Sequence, residues 1–311
     1  MTSPAIEITD LRKTYIDKKS GQTKEALKGV SLEIPRGSFF ALLGPNGAGK
    51  STMINIMAGL VLKTSGEVKI CGHDILTDMR QARSSIGVVP QELILDTFFT
   101  VREALDIHAG YYGVPKAKRR TQEIIDALGL TDKADVNSRR LSGGMRRRLL
   151  VAKALVHQPP VLILDEPTAG VDVELRNQLW AYVKELNANG TTVLLTTHYL
   201  EEAETLCDRI AVINHGEVVA CDSKVNMLKS FDTKELVISA PEPLAVLPAK
   251  LADIDARINS EGKLVITYQP SKTPIQQVLD QVQQAGVSVR DLTTREPKLE
   301  DIFLKLTSRA A

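Results

Sequence analysis

Phe39-Phe40-Ala41-Leu42-Leu43 runs straight into Gly44-Pro45-Asn46-Gly47-Ala48-Gly49-Lys50-Ser51, and this stretch decides the fold. It fits G-x-x-x-x-G-K-[ST]: an apolar strand, a glycine-rich loop, then a helix from Lys50 to about Leu60. Glycines let backbone N–H groups turn inward onto phosphate oxygens, and the helix N-terminus adds its dipole. In such a loop Lys50 reaches the β- and γ-phosphates of a nucleotide, and the Ser51 hydroxyl ligates Mg²⁺. Thr52 continues the same nucleotide-binding stretch. The alternative, a tight strand–helix turn with an accidental lysine, does not account for both flanks.

A second strand ends in chemistry. Val161-Leu162-Ile163-Leu164 delivers Asp165-Glu166, and two carboxylates at the end of a buried strand are costly unless a cation or substrate awaits them. Asp165 is suited to hold Mg²⁺ through water, and Glu166 to polarise an attacking water as general base. Alone, the pair could equally be solvated acids after a strand; beside a phosphate cradle the catalytic reading is favoured.

Around these two points the chain alternates strand and helix. Strands are expected at Ala5–Leu11, Ala26–Ile34, Gly66–Ile75 (as an edge), Ile86–Val89, Thr192–Thr197 and Arg209–Ile213. Asp17–Lys24 reads as a polar hairpin tip, and His215-Gly216 closes a hairpin to Glu217–Cys221. Helices are expected near Thr100–Tyr112, Lys116–Leu128, Gly143–Val156, Val173–Asn187 and Tyr199–Cys207. This is an α/β pattern with a mainly parallel sheet covered by helices. After about Ser230 the prolines cluster, and 231–311 reads as a small α+β appendix: strands at Leu236–Ser239, Leu264–Tyr268 and Val287–Leu292, helices at Pro274–Gln284 and Leu299–Leu306. The division expected is 1–230 and 231–311, with a helical subdomain at about 91–158.

Composition narrows the function. Of 311 residues 43% are hydrophobic and 25% charged, with a formal net charge of +1, so no global field recruits nucleic acid or acidic lipid. Cys71, Cys207 and Cys221 form no C-x-x-C pair, which favours a reducing compartment. Met1–Asp10 carries no leader signal, and no apolar run reaches the ~18 residues that span a bilayer. The chain is therefore expected to be cytosolic, with any membrane role requiring a partner. Arg146-Arg147-Arg148 reads as a solvated helix face for at least two of its three members, and Lys116–Arg120 as an exposed turn. Neither has the aromatic interleaving of a nucleic-acid groove, so no nucleic-acid partner is expected. His73, His108, His157 and His215 lack metal spacing and read as structural.

Across roughly Ala5 to Cys221 the chain resembles the nucleotide-binding subunits of ATP-binding-cassette (ABC) transporters, whose fold is a P-loop ATPase core with an antiparallel β subdomain and a helical subdomain. Leu141-Ser142-Gly143-Gly144-Met145 looks like the family signature, Gln91 the Q-loop glutamine, Ala169-Gly170-Val171-Asp172 the D-loop, His198 the switch histidine, and Tyr15 the aromatic that stacks on adenine. The resemblance implies an ATP hydrolase with Glu166, His198 and Gln91 catalytic, and with Gln91 joining Ser51 and Asp165 around Mg²⁺. It also implies that Ser142, Gly143, Gly144 and Met145 act on the ATP of a second copy in a head-to-tail pair. Ser142-Gly143-Gly144 at a helix start suits that role physically, since Ser caps and the glycines expose N–H groups; without the other motifs it is only an N-cap.

Met145 stands where the family usually has glutamine. That replacement and Glu296-Pro297-Lys298-Leu299-Glu300-Asp301-Ile302-Phe303 resemble the branch exporting drugs, lipids and polysaccharides. An integral-membrane permease is then the partner, and the cytoplasmic face of the membrane the location. The competing class is a soluble ABC ATPase acting on ribosomes or DNA; such relatives carry two cassettes or a long coiled coil, and this chain has neither. A small-molecule kinase leaves the signature and switch motifs unexplained. Leu93, Ile94, Leu95, Phe98 and Phe99 crowd apolar bulk after Gln91, and are expected to pass near solvent as a docking surface, against the alternative that all are core.

Overall fold

The computed structural model describes residues 3–308 apart from 18, 97, 231, 253 and 297, so Phe231 at the start of the appendix and Pro297 of the C-terminal motif lie outside the described residues. In chain order the first elements are β1 (Ile6–Ile16), β2 (Thr23–Ile34), β3 (Phe39–Leu43), α1 (Lys50–Met57), β4 (Ser65–Ile70), β5 (His73–Asp74), α2 (Met79–Ser84) and β6 (Ile86–Val89). Three helices follow: α3 (Val101–Tyr111), α4 (Thr121–Ala127) and α5 (Gly143–Leu155). Next come β7 (Val161–Asp165), α6 (Val173–Ala188), β8 (Thr192–Thr196), α7 (Leu200–Leu206), β9 (Arg209–Asn214), β10 (Glu217–Ser223) and α8 (Lys224–Ser230). The remainder is β11 (Lys234–Ser239), β12 (Ala256–Ile258), β13 (Leu264–Tyr268), α9 (Ile275–Gln284), β14 (Asp291–Arg295) and α10 (Leu299–Ser308).

Two compact units result: the N-terminus to Lys224 with Leu306 onward, and Val225–Lys305. In the first unit the main sheet has the order β10-β9-β3-β8-β7-β6. β9, β3, β8, β7 and β6 run parallel, and β10 closes one edge by an antiparallel hairpin. His215 and Gly216 turn that hairpin, both at positive φ (49° and 84°), as a tight two-residue turn requires. β3, β7 and β8 are buried along their whole length, which is why they read as unbroken apolar runs. The second sheet is antiparallel, in the order β2-β1-β4-β5. β4 lies inside it and the two-residue β5 takes the edge, so Gly66–Ile75 is not one edge strand as expected. β1 and β2 also extend past their expected ends, to pair Ile16 with Thr23 around the hairpin tip. One core, including Ile6, Leu27, Phe40, Met53, Ile163 and Ile213, joins both sheets through α1.

The second unit has its own antiparallel sheet, β12-β13-β11-β14, and its own core of Leu236, Ile238, Leu264, Ile266, Val278 and Val282. The last strand begins at Asp291, not Val287. Val287 instead closes the end of α9, its N–H donating to Val282 O at 3.2 Å, and is buried.

The reading of Arg146–Arg148 is overturned. Arg147 and Arg148 are 4% and 7% exposed. α5 is enclosed on most sides, Leu149 to Ala152 all being buried, so neighbouring long side chains must also be packed. Arg148 Nη1 donates to Leu128 O (2.8 Å) and Gly129 O (2.9 Å), satisfying carbonyls at the C-terminal end of α4 that have no partner in their own helix. Arg146 is half-buried and donates to Arg139 O at 2.8 Å. Arg148→Ala is therefore expected to lower unfolding free energy by about 2–3 kcal/mol, the scale of hydrogen bonds from a charged buried donor, against under about 1 kcal/mol for Arg146→Ala. Denaturant unfolding of the two variants checks this.

Candidate active site

The main sheet gathers residues that are far apart in the chain. The carboxyl ends of β3, β8, β7 and β6 lie side by side, and just beyond them come, in that order, the glycine loop, Thr196–His198, Asp165-Glu166 and Gln91. This is the edge at which open parallel sheets bind ligands.

The loop after β3 is held tightly. A Cβ on Gly44 would meet Ile213 O at 2.3 Å, and Gly49 sits at φ 112° with Ala26 O 2.8 Å from where its Cβ would be. Only glycine fits either position. Gly49 is also the N-cap of α1 and supplies no side-chain cap, so the first N–H groups of the helix stay available to an anion. Lys50 is 8% exposed. Its Nζ donates to Gly44 O (2.6 Å) and Pro45 O (3.1 Å) of its own loop. Burial pulls its pKa below the usual lysine range, against the nearby Glu166 and Asp165 carboxylates.

Asp165 is 6% exposed. Burial pushes its carboxyl upward and Glu166 adds to this, while hydrogen bonds from Thr196 and Ser51 and the charge of Lys50 oppose it. Glu166 has φ 48°, a left-handed backbone unusual for a side-chain-bearing residue. Its N–H donates to Thr196 O at 3.0 Å. Its Oε2 accepts from Gln91 Nε2 at 3.0 Å and lies 3.4 Å from His198 Nδ1. Two residues widely separated in sequence, Gln91 and His198, thus converge on one oxygen of the Glu166 carboxylate.

A cleft of about 460 Å³ opens onto this group, lined by Tyr15, Lys24, Ala26, Asn46, Gly47, Gly49, Lys50, Ser51, Thr52, Gln91 and Glu166. Tyr15 is 39% exposed, with Lys13 Nζ 4.7 Å from its ring centroid. Its open face can carry a nucleobase, and the loop below can hold phosphates. Ala48 is buried beneath the loop. Ser142, Gly143, Gly144 and Met145 are not among the residues lining this cleft. Ser142 caps α5, its Oγ accepting from Met145 N at 3.3 Å, and Ser142 and Gly143 are exposed. Asp172 likewise caps α6, accepting from Leu175 N at 3.0 Å, and is exposed.

Sequence reasoning missed Lys24, Ala26, Thr196 and Arg147 around the site. Thr196 had a signal, since it pairs with Asp165 in the parallel register and its hydroxyl hydrogen-bonds the Asp165 carboxylate. Lys24 and Ala26 had none beyond lying in the strand that faces the loop. Among the described residues no cluster of three or more His, Cys, Asp or Glu could hold a metal alone, and no helix is long and apolar enough to cross a membrane.

Residues 27–169 match the family described as ABC transporter. The chain is 36% identical over 99% of its length to Nod factor export ATP-binding protein I of Ralstonia nicotianae, spanning 95% of that protein. It is 38% identical over 94% of its length to the linearmycin resistance ATP-binding protein of Bacillus subtilis, spanning 96% of it. Among solved structures it resembles an ATP-binding subunit of an ABC transporter (TM-score 0.67, 28% identity, 73% of this chain and 93% of that one). It also resembles a dimeric, post-hydrolysis ATP-binding cassette holding ADP and phosphate (TM-score 0.65, 29% identity, 70% of this chain and 98% of that one). A buried lysine in a glycine cradle, a carboxylate gripped by glutamine and histidine, and these likenesses lead to one assignment: the chain belongs to the ABC transporter family, as an ATP-binding and ATP-hydrolysing subunit.

Proposed function

We propose that the chain is the motor of an export system, working as a head-to-tail pair on a separate membrane permease at the cytoplasmic face of the membrane. The observation that carries this reading is the convergence of Gln91, His198 and Glu166 at the mouth of the cradle. In it Glu166 is the general base, orienting water against the γ-phosphate, and His198 and Gln91 hold that base and the phosphate in register. Tyr15 stacks on the adenine. Ser51, Asp165 and Gln91 hold Mg²⁺: a buried carboxylate hydrogen-bonded to Ser51 and Thr196 suits a hard cation that accepts oxygen ligands. When bound with ATP, the ion neutralises charge developing on the phosphate oxygens.

The pairing rests on a division of parts. Ser142–Met145 crown a 13-residue helix with Ser142 and Gly143 exposed at its start, yet stand outside the chain's own cleft. A second copy brings that helix start, and the neighbouring Asp172, to the first copy's ATP, and two-fold closure makes two equivalent sites. Relatives are named for export and for resistance, which favours outward transport. Residues 1–230 form the ATPase body, with its helical subdomain at about 91–158, and 231–311 an accessory domain.

Docking to the permease is assigned to the surface beyond Gln91. Phe98 is 86% and Ile94 70% exposed. A hollow of about 260 Å³ near the same helical segment is lined by Leu60, Val88, Pro90 and Tyr112 among others. Phe99 is half-buried and belongs more to the packing than to the surface.

Three outcomes are expected. Glu166→Gln keeps ATP binding and loses about 100-fold or more of turnover, the contribution of a general base; near-normal steady-state hydrolysis removes the assignment. Lys50→Ala weakens Mg-ATP binding by about tenfold or more, the scale of lost charge-assisted bonds; titration giving wild-type affinity refutes it. Phe98→Ala costs permease recruitment about 2 kcal/mol, as an aromatic anchor does, with ATP affinity intact. Undiminished co-purification with the permease in mild detergent removes the docking site while leaving the motor in place.

A further inference from the structure

Arg147 is a buried cation near the site, more enclosed than Lys50. It lies on the second turn of α5, five residues beyond the Ser142 cap, and is 4% exposed. Its Nη1 donates to Pro90 O and its Nη2 to Gln91 O, both at 2.8 Å. Its Nε is buried and finds no acceptor among the described residues. The guanidinium fork is therefore spent on two successive backbone carbonyls, those where the chain leaves β6 and enters the segment beyond Gln91. Those carbonyls have left the β-ladder and belong to exposed residues, and Arg147 supplies their donors from the buried side of the segment. A planar fork fixes both at once, which an ammonium cannot.

Position makes this more than packing. Gln91 is exposed, and the hydrogen bond from its side chain to Glu166 Oε2 is 3.0 Å. Among the described residues, the Gln91 backbone is held by this fork and by the end of β6 two residues earlier. Burial depresses the Arg147 pKa, and Asp165 and Glu166 act against that, so the cation also lies within the field of the two site carboxylates.

We propose that Arg147 is a positioning residue for hydrolysis: by clamping the Pro90 and Gln91 carbonyls to the helix that carries Ser142, it fixes where Gln91 meets Glu166. The clamp makes the Gln91 geometry and the α5 start one rigid piece, so a shift at either is felt at the other. The proposal rests on the reading of Glu166 as the base.

The test is a double-mutant cycle on the purified full-length chain, with turnover and ATP affinity measured separately. Arg147→Met is expected to lower kcat by about ten- to a hundredfold, the cost of displacing a reacting geometry by an ångström or less, with ATP affinity within about twofold of wild type. Gln91→Ala is expected to give a loss of similar size, and the double variant to be no more than about twofold slower than the slower single, because both remove the same alignment. Arg147→Lys, which retains the charge and is the variant of choice if Arg147→Met fails to fold, is expected to fall between wild type and Arg147→Met, since it bridges one carbonyl at a time. Wild-type kcat in Arg147→Lys and Arg147→Met overturns the proposal. So do losses that multiply in the double variant, which indicate a general structural effect. A Glu166→Gln control that keeps its turnover removes the base assignment and takes the proposal with it; one that loses turnover while the two effects multiply removes the clamp alone.

Discussion

A buried ammonium facing two carboxylates sets the terms for the whole first unit. Lys50, Asp165 and Glu166 are drawn together at the end of a sheet whose interior offers them little water. Isolated charges there would be expensive. Each is offset by a specific arrangement: Lys50 by the Gly44 and Pro45 carbonyls, Asp165 by Thr196 and Ser51, Glu166 by Gln91 and His198. Those arrangements require β3, β8, β7 and β6 to be neighbours in that order, whatever their order in the chain. The crossover helices, the Gly44 and Gly49 backbones and the left-handed Glu166 all follow from bringing four strand ends to one line. Phosphate at the cradle would replace loop carbonyls as the partner of Lys50, so the loop holds its lysine ready without an orphaned charge.

The parts of this that the sequence displays are those where chemistry forces a local pattern. Gly44–Ser51 is legible because a phosphate cradle needs glycines at fixed offsets between a strand and a helix. Val161–Glu166 is legible because its two acids end an apolar strand in a chain that also carries a phosphate cradle. His215-Gly216 is legible because a two-residue hairpin needs positive φ twice. The same economy hid Arg147 and Arg148. Three successive arginines look solvated, and the partners that make them otherwise, at Leu128, Gly129, Pro90 and Gln91, are backbone carbonyls with no side-chain signature. One signal was present: Leu149-Leu150-Val151-Ala152, directly after them, is apolar on every face, and a helix apolar all round is buried all round. The strand at Asp291–Arg295 escaped for the opposite reason. It is exposed along its whole length, and with neither face buried there is no alternation to read.

Two candidate site residues serve local structure as well. Ser142 and Asp172 each cap a helix through their own side chain, and each would be a reasonable choice for that reason alone. For Ser142 and Asp172 the cap leaves the residue exposed at a helix start, where the unpaired N–H groups also lie. In the proposed pair, a residue that meets the second copy is thus already kept in one rotamer by its own helix, which lowers the ordering cost of that contact.

The loops around Glu166 are held unequally, and this bears on the proposed motor role. Glu202 is 8% exposed; its Oε1 accepts from Thr168 Oγ1 (2.8 Å) and Trp180 Nε1 (3.3 Å), and its Oε2 from Thr197 Oγ1 (2.8 Å). One buried carboxylate therefore ties the loop after β7 to the loop after β8, fixing Glu166 and His198 on a common frame. The Gln91 segment has no share in that network. It is held from two sides: β6, which ends two residues before Gln91, pairs with β7 (Val89 beside Leu164), and Arg147 ties the Pro90 and Gln91 carbonyls to α5. Its side chain then reaches Glu166 across the strand ends. In the proposed motor, a residue attached both to the sheet and to α5 is the point at which a change at the Glu166 carboxylate can be passed to the helices, whereas a residue tied only into the Glu202 network would relax locally.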